Sequence, residues 1–236
     1  MRSPHRPLHE HRVSIGRGRT LGAAEFGDPN GFPVLWFHGT PGGRLQVPPD
    51  GPASAAARGI RLFGVERPGT GWSTPHRYGH VRDFATDVRA LADKLGFERF
   101  AVAGLSGGGP YTLACAHDLP DRVVAAAVVG GIGPTAGPDA VRSYTRALRA
   151  LGPALALIAE PMGKRLPGLL APVVPHAEKA VRAFALVAPK ADRPILRDPL
   201  FMQVLAGDLI HVMGDGLTAP MHDARLFARD WGFRLA

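Results

Sequence analysis

Apolar positions over the first 130 residues fall into short runs that a charged residue interrupts only at Arg61. The runs at 34–37, 60–65, 100–103 and 123–129 contain no alternating polar residues, a pattern typical of strands buried on both faces of a parallel sheet. Between the second and third runs, apolar residues at 81, 84, 85, 88, 91, 92 and 95 recur at spacings of three and four. This spacing predicts an amphipathic helix that ends near Gly96.

The remaining signals in this half complete an alternating order of elements. Residues 12–15 and 21–26 predict a hairpin, followed by a dense turn at 27–31. Pro110 is placed to open a second helix that runs to about His117. Strands that alternate with helices indicate βαβ units. The predicted fold class is therefore α/β, with a mostly parallel, doubly wound sheet.

The pattern changes near residue 134, where Ala, Leu and Pro become dominant and prolines divide the chain into short segments. We interpret 134–225 as a helical cap inserted over the sheet. The predicted organisation is a basic, flexible leader at 1–19, the N-terminal part of an α/β core at 20–133, the cap, and the start of a return to the core at 226–236.

Composition narrows the possible partners and sites. The formal net charge is +8, with 28 basic against 20 acidic residues, but the basic residues are scattered and form no stripe with aromatic residues. We therefore expect no nucleic-acid partner. Cys115 is the only cysteine, which excludes an internal disulfide and a Cys-rich zinc site, and no metal is expected.

The sequence also lacks the usual signals for a membrane or a bound cofactor. It contains no apolar stretch long enough for a membrane span or a secretory signal, so a cytoplasmic location without membrane contact is predicted. Neither a dinucleotide fingerprint after the first strand nor a Gly-Lys-Ser/Thr phosphate loop is present. We expect no cofactor.

One motif carries a nucleophile. Gly104-Leu105-Ser106-Gly107-Gly108 fits G-x-S-x-G, which places a serine on a sharp strand-to-helix turn with its hydroxyl exposed. Glycines flank the serine because the following helix packs close to the strand. A predicted strand precedes this motif and a predicted helix follows it. The pattern therefore predicts Ser106 as a catalytic nucleophile, with an idle serine in a structural glycine turn as the alternative.

Two further motifs make the pattern specific. His38-Gly39-Thr40-Pro41-Gly42 follows an earlier buried strand, and an RPGTGWS corner occupies 67–73. In this order the three motifs resemble the α/β-hydrolase superfamily with a serine nucleophile. The resemblance implies an oxyanion hole formed by the backbone N–H groups of Thr40 and Gly107.

The same resemblance assigns supporting roles to neighbouring residues. It implies that His38 and Gly39 shape the first loop, that Gly104 and Gly108 shape the serine motif, and that the corner at 67–73 supports the oxyanion loop. Ser73 is accordingly expected to be structural. Glu66 departs from the family pattern, in which relatives commonly have Asp at this position.

The acid and the base of a catalytic triad are not found. In this superfamily they follow the serine in the order acid, then histidine, on loops after the last strands of the sheet. No strand is predicted after 129, so the last strands of the sheet are expected to be missing and the chain to lack its C-terminal part. His211 and His222, on predicted cap helices, are the alternatives for a recruited base.

Two functions therefore remain open. The first is a serine hydrolase that cleaves an ester or amide through a Ser106 acyl-enzyme. The alternative is a catalytically inert truncated homologue, or a non-enzymatic relative that binds a ligand or partner. The apolar cap indicates a small-molecule substrate with an apolar portion. The strand at 123–129 would become an apolar sheet edge, which predicts self-association unless the cap or a partner covers it.

Overall fold

The structure of the chain is a computed structural model, and it describes residues 6–141, 193–214, 216 and 218–235. They form a six-stranded sheet with helices on both faces. The strands are β1 (His9–Gly16), β2 (Arg19–Gly27), β3 (Phe32–Phe37), β4 (Ile60–Val65), β5 (Phe100–Leu105) and β6 (Val123–Val129). The helices are α1 (Gly51–Ala57), α2 (Phe84–Leu95), α3 (Gly109–Asp118), α4 (Arg193–Arg197), α5 (Pro199–Gly214) and α6 (Thr218–Phe227).

The sheet is mostly parallel, as predicted. Its strand order is β1-β2-β4-β3-β5-β6. The four strands β4, β3, β5 and β6 run parallel to one another, whereas β1 and β2 form an antiparallel hairpin at one edge. Since β3, β4 and β5 are parallel, the loops that follow them emerge at the same end of the sheet. Two of those loops carry the predicted site residues.

Side chains of the central strands alternate between two cores. On β3, Leu35 and Phe37 join the larger core, which also contains apolar residues of α2 and α3. Trp36 points to the opposite face and joins a smaller core with Ala55 of α1. Period-two alternation therefore places apolar side chains on both faces of these strands, which explains the continuous apolar runs in the sequence.

The helices near the site follow local signals in the sequence. Helix α2 ends at Gly96, whose φ of 74° is the left-handed conformation of a helix C-cap. Helix α3 carries Pro110 in its first turn. Helix α1 was not predicted, because its residues form no apolar stripe and only Pro52 and Ala55 are buried.

Part of the predicted leader lies in the sheet, where it extends the hairpin strand predicted at 12–15 towards the N-terminus. Residues 9–16 form β1, which pairs with β2. The physical reason is an alternation within the basic stretch, since Val13 and Ile15 pack against the larger core while His11 hydrogen-bonds Glu25. The structured part of the chain therefore begins before residue 12.

The predicted cap lies partly outside the described residues, because 142–192 are not among them. The described part of that region consists of α4, α5 and α6. Trp231, just beyond α6, is buried in the larger core, and its carbonyl accepts a hydrogen bond from Arg82 N at 3.2 Å. Among the described residues, no helix combines the length and apolar character that a membrane span requires.

Strand β6 forms the edge of the described sheet. Six of its seven residues are exposed, including Val124, Val128 and Val129, with 42%, 42% and 49% of their surface accessible. No strand follows β6 in the ranges that the structure describes. The predicted apolar edge is therefore present, and whether it drives self-association stays a prediction.

Candidate active site

Ser106 lies at a sharp turn between β5 and α3, which we call the serine turn (residues 104–108). Its φ is 49°, a left-handed conformation that side-chain-bearing residues adopt only at a cost in backbone energy. The turn is a single short 3-10 turn over Ser106–Gly108 that leads directly into α3. This is the strand–turn–helix context that the G-x-S-x-G pattern predicts.

The Ser106 side chain is partly exposed. No described side chain forms a hydrogen bond with its hydroxyl, although its backbone carbonyl accepts a 3.3 Å hydrogen bond from Ile132 N. The backbone of Ser106 is therefore held in place, whereas its hydroxyl has no hydrogen-bond partner among the described side chains.

The second predicted element is the loop after β3, residues 38–43, which we call the HGTPGG loop. It lies directly against the serine turn. A Cβ atom added to Gly107 would stand 3.2 Å from Thr40 N and would overlap Thr40 Oγ1. Gly107 therefore admits no side chain, and the structure brings together the two residues whose amides were predicted to form an oxyanion hole.

His38 is a structural residue of this loop. It is buried, its Nδ1 donates to Gly39 O at 2.7 Å, and its Nε2 accepts from Arg67 N at 3.3 Å. Burial, together with the Arg67 guanidinium, holds the pKa of His38 well below its usual value. A neutral histidine with both ring nitrogens bonded to the backbone fits the loop-shaping role and not that of a base.

Gln46, a residue that the sequence did not single out, holds the same loop from its C-terminal side. Its Oε1 accepts from Gly39 N at 2.6 Å, and its Nε2 donates to Pro41 O at 3.2 Å. The carbonyl of Gln46 accepts from Trp36 Nε1 at 2.6 Å, which anchors this segment to β3.

Arg67, the first residue of the RPGTGWS corner, supports the loop from β4. It donates to His38 O at 2.7 Å, to Gly39 O at 2.8 Å and to Thr40 Oγ1 at 2.8 Å. The corner therefore contacts the HGTPGG loop, as the resemblance implies.

Ser73 has the structural position expected of it. Its hydroxyl accepts from Gly22 N at 2.9 Å and lies 3.4 Å from Glu66 O. Glu66, the departure from the family pattern, is fully buried and pairs with Arg44 at 2.5 Å. It also accepts from Trp72 N at 2.7 Å, so the longer side chain still closes this corner.

Two carboxylates from the later helices also contact the HGTPGG loop. Asp208 of α5 accepts from Gly43 N at 2.9 Å. Asp223 of α6 accepts from Thr40 Oγ1 at 2.8 Å. Neither contact was predicted from the sequence, because each carboxylate lies more than 160 residues from its partner in the chain and no local pattern marks it.

Among the histidines of the described residues, none hydrogen-bonds Ser106. His222 accepts from Tyr78 N at 3.0 Å through its Nε2, and burial lowers its pKa. His117 pairs with Asp118 at the surface. The side chain of His211 lies outside the described residues, as does His176. This geometry therefore does not support His222 as a recruited base.

The arrangement of these motifs on the sheet agrees with comparisons with known proteins. A family model described as alpha/beta hydrolase fold matches residues 33–152, which is half of the chain. The chain belongs to the α/β-hydrolase family. The matched region of this α/β-hydrolase contains both the HGTPGG loop and the serine turn.

Curated relatives match the same half of the chain. A probable proline iminopeptidase from Leptolyngbya boryana is 31% identical over 119 residues, which cover 49% of this chain and 36% of that protein. A proline iminopeptidase from Neisseria meningitidis is 28% identical over 126 residues, with 50% and 38% covered. The matched part of this chain thus spans little more than a third of these relatives.

Solved structures share the fold over a longer stretch. An alpha/beta hydrolase fold protein from Nakamurella multipartita has a TM-score of 0.57 and 24% identity to this chain. The match covers 93% of this chain and 74% of that protein. This likeness concerns the fold alone.

Proposed function

We propose that this α/β-hydrolase is a serine hydrolase that cleaves an ester or amide through an acyl-enzyme on Ser106. In the first step the Ser106 Oγ forms a bond to the substrate carbonyl carbon and its proton passes to a base. The carbonyl oxygen becomes an oxyanion that accepts hydrogen bonds from the N–H groups of Thr40 and Gly107. Collapse of this intermediate expels the alcohol or amine, which takes up the proton held by the base, and water then hydrolyses the acyl-enzyme.

The observation that carries this proposal is the contact between the HGTPGG loop and the serine turn. Thr40 N lies 3.2 Å from the place where a Cβ of Gly107 would stand, and Ser106 occupies the intervening turn with φ of 49°. Fixed amide donors beside a nucleophile stabilise charge that develops in the transition state, and one such donor typically contributes about 10² to 10³ in rate.

The substrate is proposed to be a small molecule with an apolar portion. Similarity to proteins named proline iminopeptidase supports an amide as the scissile group. Hydrolysis of a prolyl nitroanilide, compared with that of a nitrophenyl ester of a short fatty acid, separates the two classes. Turnover of the ester alone would point away from an amide.

One observation favours a second candidate, a relative that binds ligands but does not turn them over. Within the described ranges, no acidic or histidine side chain forms a hydrogen bond with the Ser106 hydroxyl. Both ring nitrogens of His38 and the Nε2 of His222 form hydrogen bonds elsewhere. A triad enzyme that lacks its base loses about 10⁶ in turnover. A chain of this kind would keep the pocket without the activity.

A fluorophosphonate probe distinguishes the two candidates, because it labels only an activated serine. We expect the wild-type chain to be labelled at Ser106 and the Ser106→Ala variant to remain unlabelled. Thr74→Ala is a suitable control, since it removes another hydroxyl outside the serine turn. A folded wild-type chain that takes up no probe would contradict the hydrolase and support the second candidate.

A further inference from the structure

Asp223 is a buried carboxylate to which the proposed reaction assigns no role. It is 6% exposed and accepts hydrogen bonds from Thr40 Oγ1 at 2.8 Å, Arg67 Nε at 2.8 Å and Tyr111 OH at 2.6 Å. These donors belong to the HGTPGG loop, the corner after β4, and α3. One side chain of α6 therefore joins three segments that surround Ser106.

A buried ion pair lies at the centre of this junction. The Arg67 guanidinium is buried and forms an ion pair with Asp223 at 2.8 Å, while its other donors bond to His38 O, Gly39 O and Thr40 Oγ1. A buried cation is costly unless an anion pairs with it. Asp223 therefore holds Arg67 in the place where it supports the loop.

The same carboxylate connects the two sides of the predicted oxyanion hole. On one side it accepts from the hydroxyl of Thr40, whose backbone N lies 3.2 Å from the position of a Cβ added to Gly107. On the other it accepts from the hydroxyl of Tyr111, which lies in the first turn of α3, four residues after Gly107. Tyr111 is buried, and its ring lies 5.1 Å from the Arg67 guanidinium carbon, so its hydroxyl is held by packing as well as by the hydrogen bond.

We propose that Asp223 is a positioning residue that sets the Thr40 N–H against the Gly107 N–H. It acts through the Thr40 hydroxyl on the loop side and through Tyr111 on the helix side. Asp223 lies beyond residue 152, where the family match ends, so the helices after that match complete the site. This proposal rests on the proposed function, in which the two amides receive the oxyanion.

Hydrogen exchange of the full chain tests the positioning without requiring activity. In Asp223→Asn the side chain keeps its shape but loses its charge, so the bonds from Arg67 and Thr40 weaken. We expect amides at 38–46 to exchange about tenfold faster than in the wild type, and those of β3 and β5 to change by less than about twofold. Asp121→Asn is the matched control, because Asp121 is exposed and pairs with Arg89 at the surface.

Labelling of Ser106 by a fluorophosphonate supplies the second readout. We expect the maximal labelling rate of Asp223→Asn to fall about tenfold, with the half-saturating probe concentration unchanged, since the probe still reaches Ser106 but meets a misplaced Thr40 N–H. If the wild type takes up no probe while exchange at 38–46 still rises in the variant, the proposed function fails and the control of the loop by Asp223 stands.

Unchanged exchange at 38–46 in a folded Asp223→Asn protein would overturn the proposal, as would an equal rise over the whole sheet. Should that variant fail to fold, Thr40→Val provides the same test, because it removes only the hydroxyl and keeps the peptide N–H and every charge. The expected result is again a rise confined to 38–46. Wild-type exchange at 38–46 in Thr40→Val would overturn the proposal.

Discussion

The serine turn and the HGTPGG loop lie against each other, but they are held in different ways. The serine turn is fixed by close backbone packing: a Cβ added to Gly108 would overlap Phe37 O and stand 2.9 Å from His38 O. The loop instead depends on side chains, namely Gln46, Arg67, Asp208 and Asp223. A local glycine motif therefore marks the serine turn in the sequence, whereas most of the side chains that hold the HGTPGG loop come from distant parts of the chain.

The largest effect is expected where backbone packing is broken. Gly108→Ala forces β3 and the serine turn apart, and overpacking against backbone atoms costs about 3 kcal/mol. For a chain of this size the melting temperature should fall by about 10 °C. Gly207→Ala is the control, since no atom lies within 4 Å of its added Cβ and Gly207 is in α5. It should leave stability unchanged or raise it slightly. Equal melting temperatures for the two variants would contradict the packing argument.

Substitution of Asp208 is expected to change stability by a smaller amount and in the opposite direction. Burial raises the pKa of Asp208 from 3.8 to about 6, against the lowering effect of the hydrogen bond from Gly43; Glu66 adds to the rise and Arg44 opposes it. The folded state therefore binds more protons than the unfolded state between about pH 4 and 6. Stability from this group is present below pH 4 and is lost as the pH rises through 6.

Asp208→Asn removes this loss while keeping an oxygen that accepts from Gly43 N. The difference of about two pKa units between the folded and unfolded states corresponds to roughly 3 kcal/mol of stability lost at high pH. The amide oxygen of Asn is a weaker hydrogen-bond acceptor than the carboxylate of Asp. We therefore expect the variant to be about 2 kcal/mol more stable at pH 7.5 and equal to the wild type near pH 4. Chemical denaturation at both pH values measures the difference, and a variant less stable at pH 7.5 would show that the charge is needed.

These two regions also show how far the sequence alone predicts the molecule. The strands at 60–65 and 123–129, the helix ending at Gly96 and the turn at Ser106 were predicted correctly, because each is encoded by neighbouring residues. Helix α1 has no apolar stripe and was missed. Gln46 and Asp223 were missed because their partners are set by folding, and a buried acceptor has no sequence pattern of its own.

Gln46 holds the HGTPGG loop from its C-terminal side, and its removal should cost less stability than the Asp208 substitution adds. Gln46→Met keeps the volume but leaves Gly39 N without its acceptor, and an unpaired buried N–H costs roughly 1.5 kcal/mol. The Trp36 bond should persist because it uses the Gln46 backbone carbonyl. Urea unfolding gives the change in free energy. A loss below about 0.5 kcal/mol would mean that another group satisfies Gly39.

The smallest change in stability is expected on removal of a side-chain hydrogen bond to the serine turn. In the described part of the chain, one such bond is present. Thr112 Oγ1 donates to Gly108 O at 3.0 Å, and Thr112→Val removes that bond with little change of shape. The expected cost is about 0.5 to 1 kcal/mol, below that of Gln46→Met in the same urea series. A larger cost than for Gln46→Met would reverse the comparison between the two regions.

The two edge strands of the sheet differ in whether a strand of another molecule can pair with them. On β1, charged and imidazole side chains at His9, Glu10 and His11 discourage another strand from adding there. On β6, the accessible valines carry no such deterrent. We expect apparent mass in sedimentation to increase with protein concentration, and Val128→Lys to suppress that increase; a monomer at every concentration would show that this edge strand is inert.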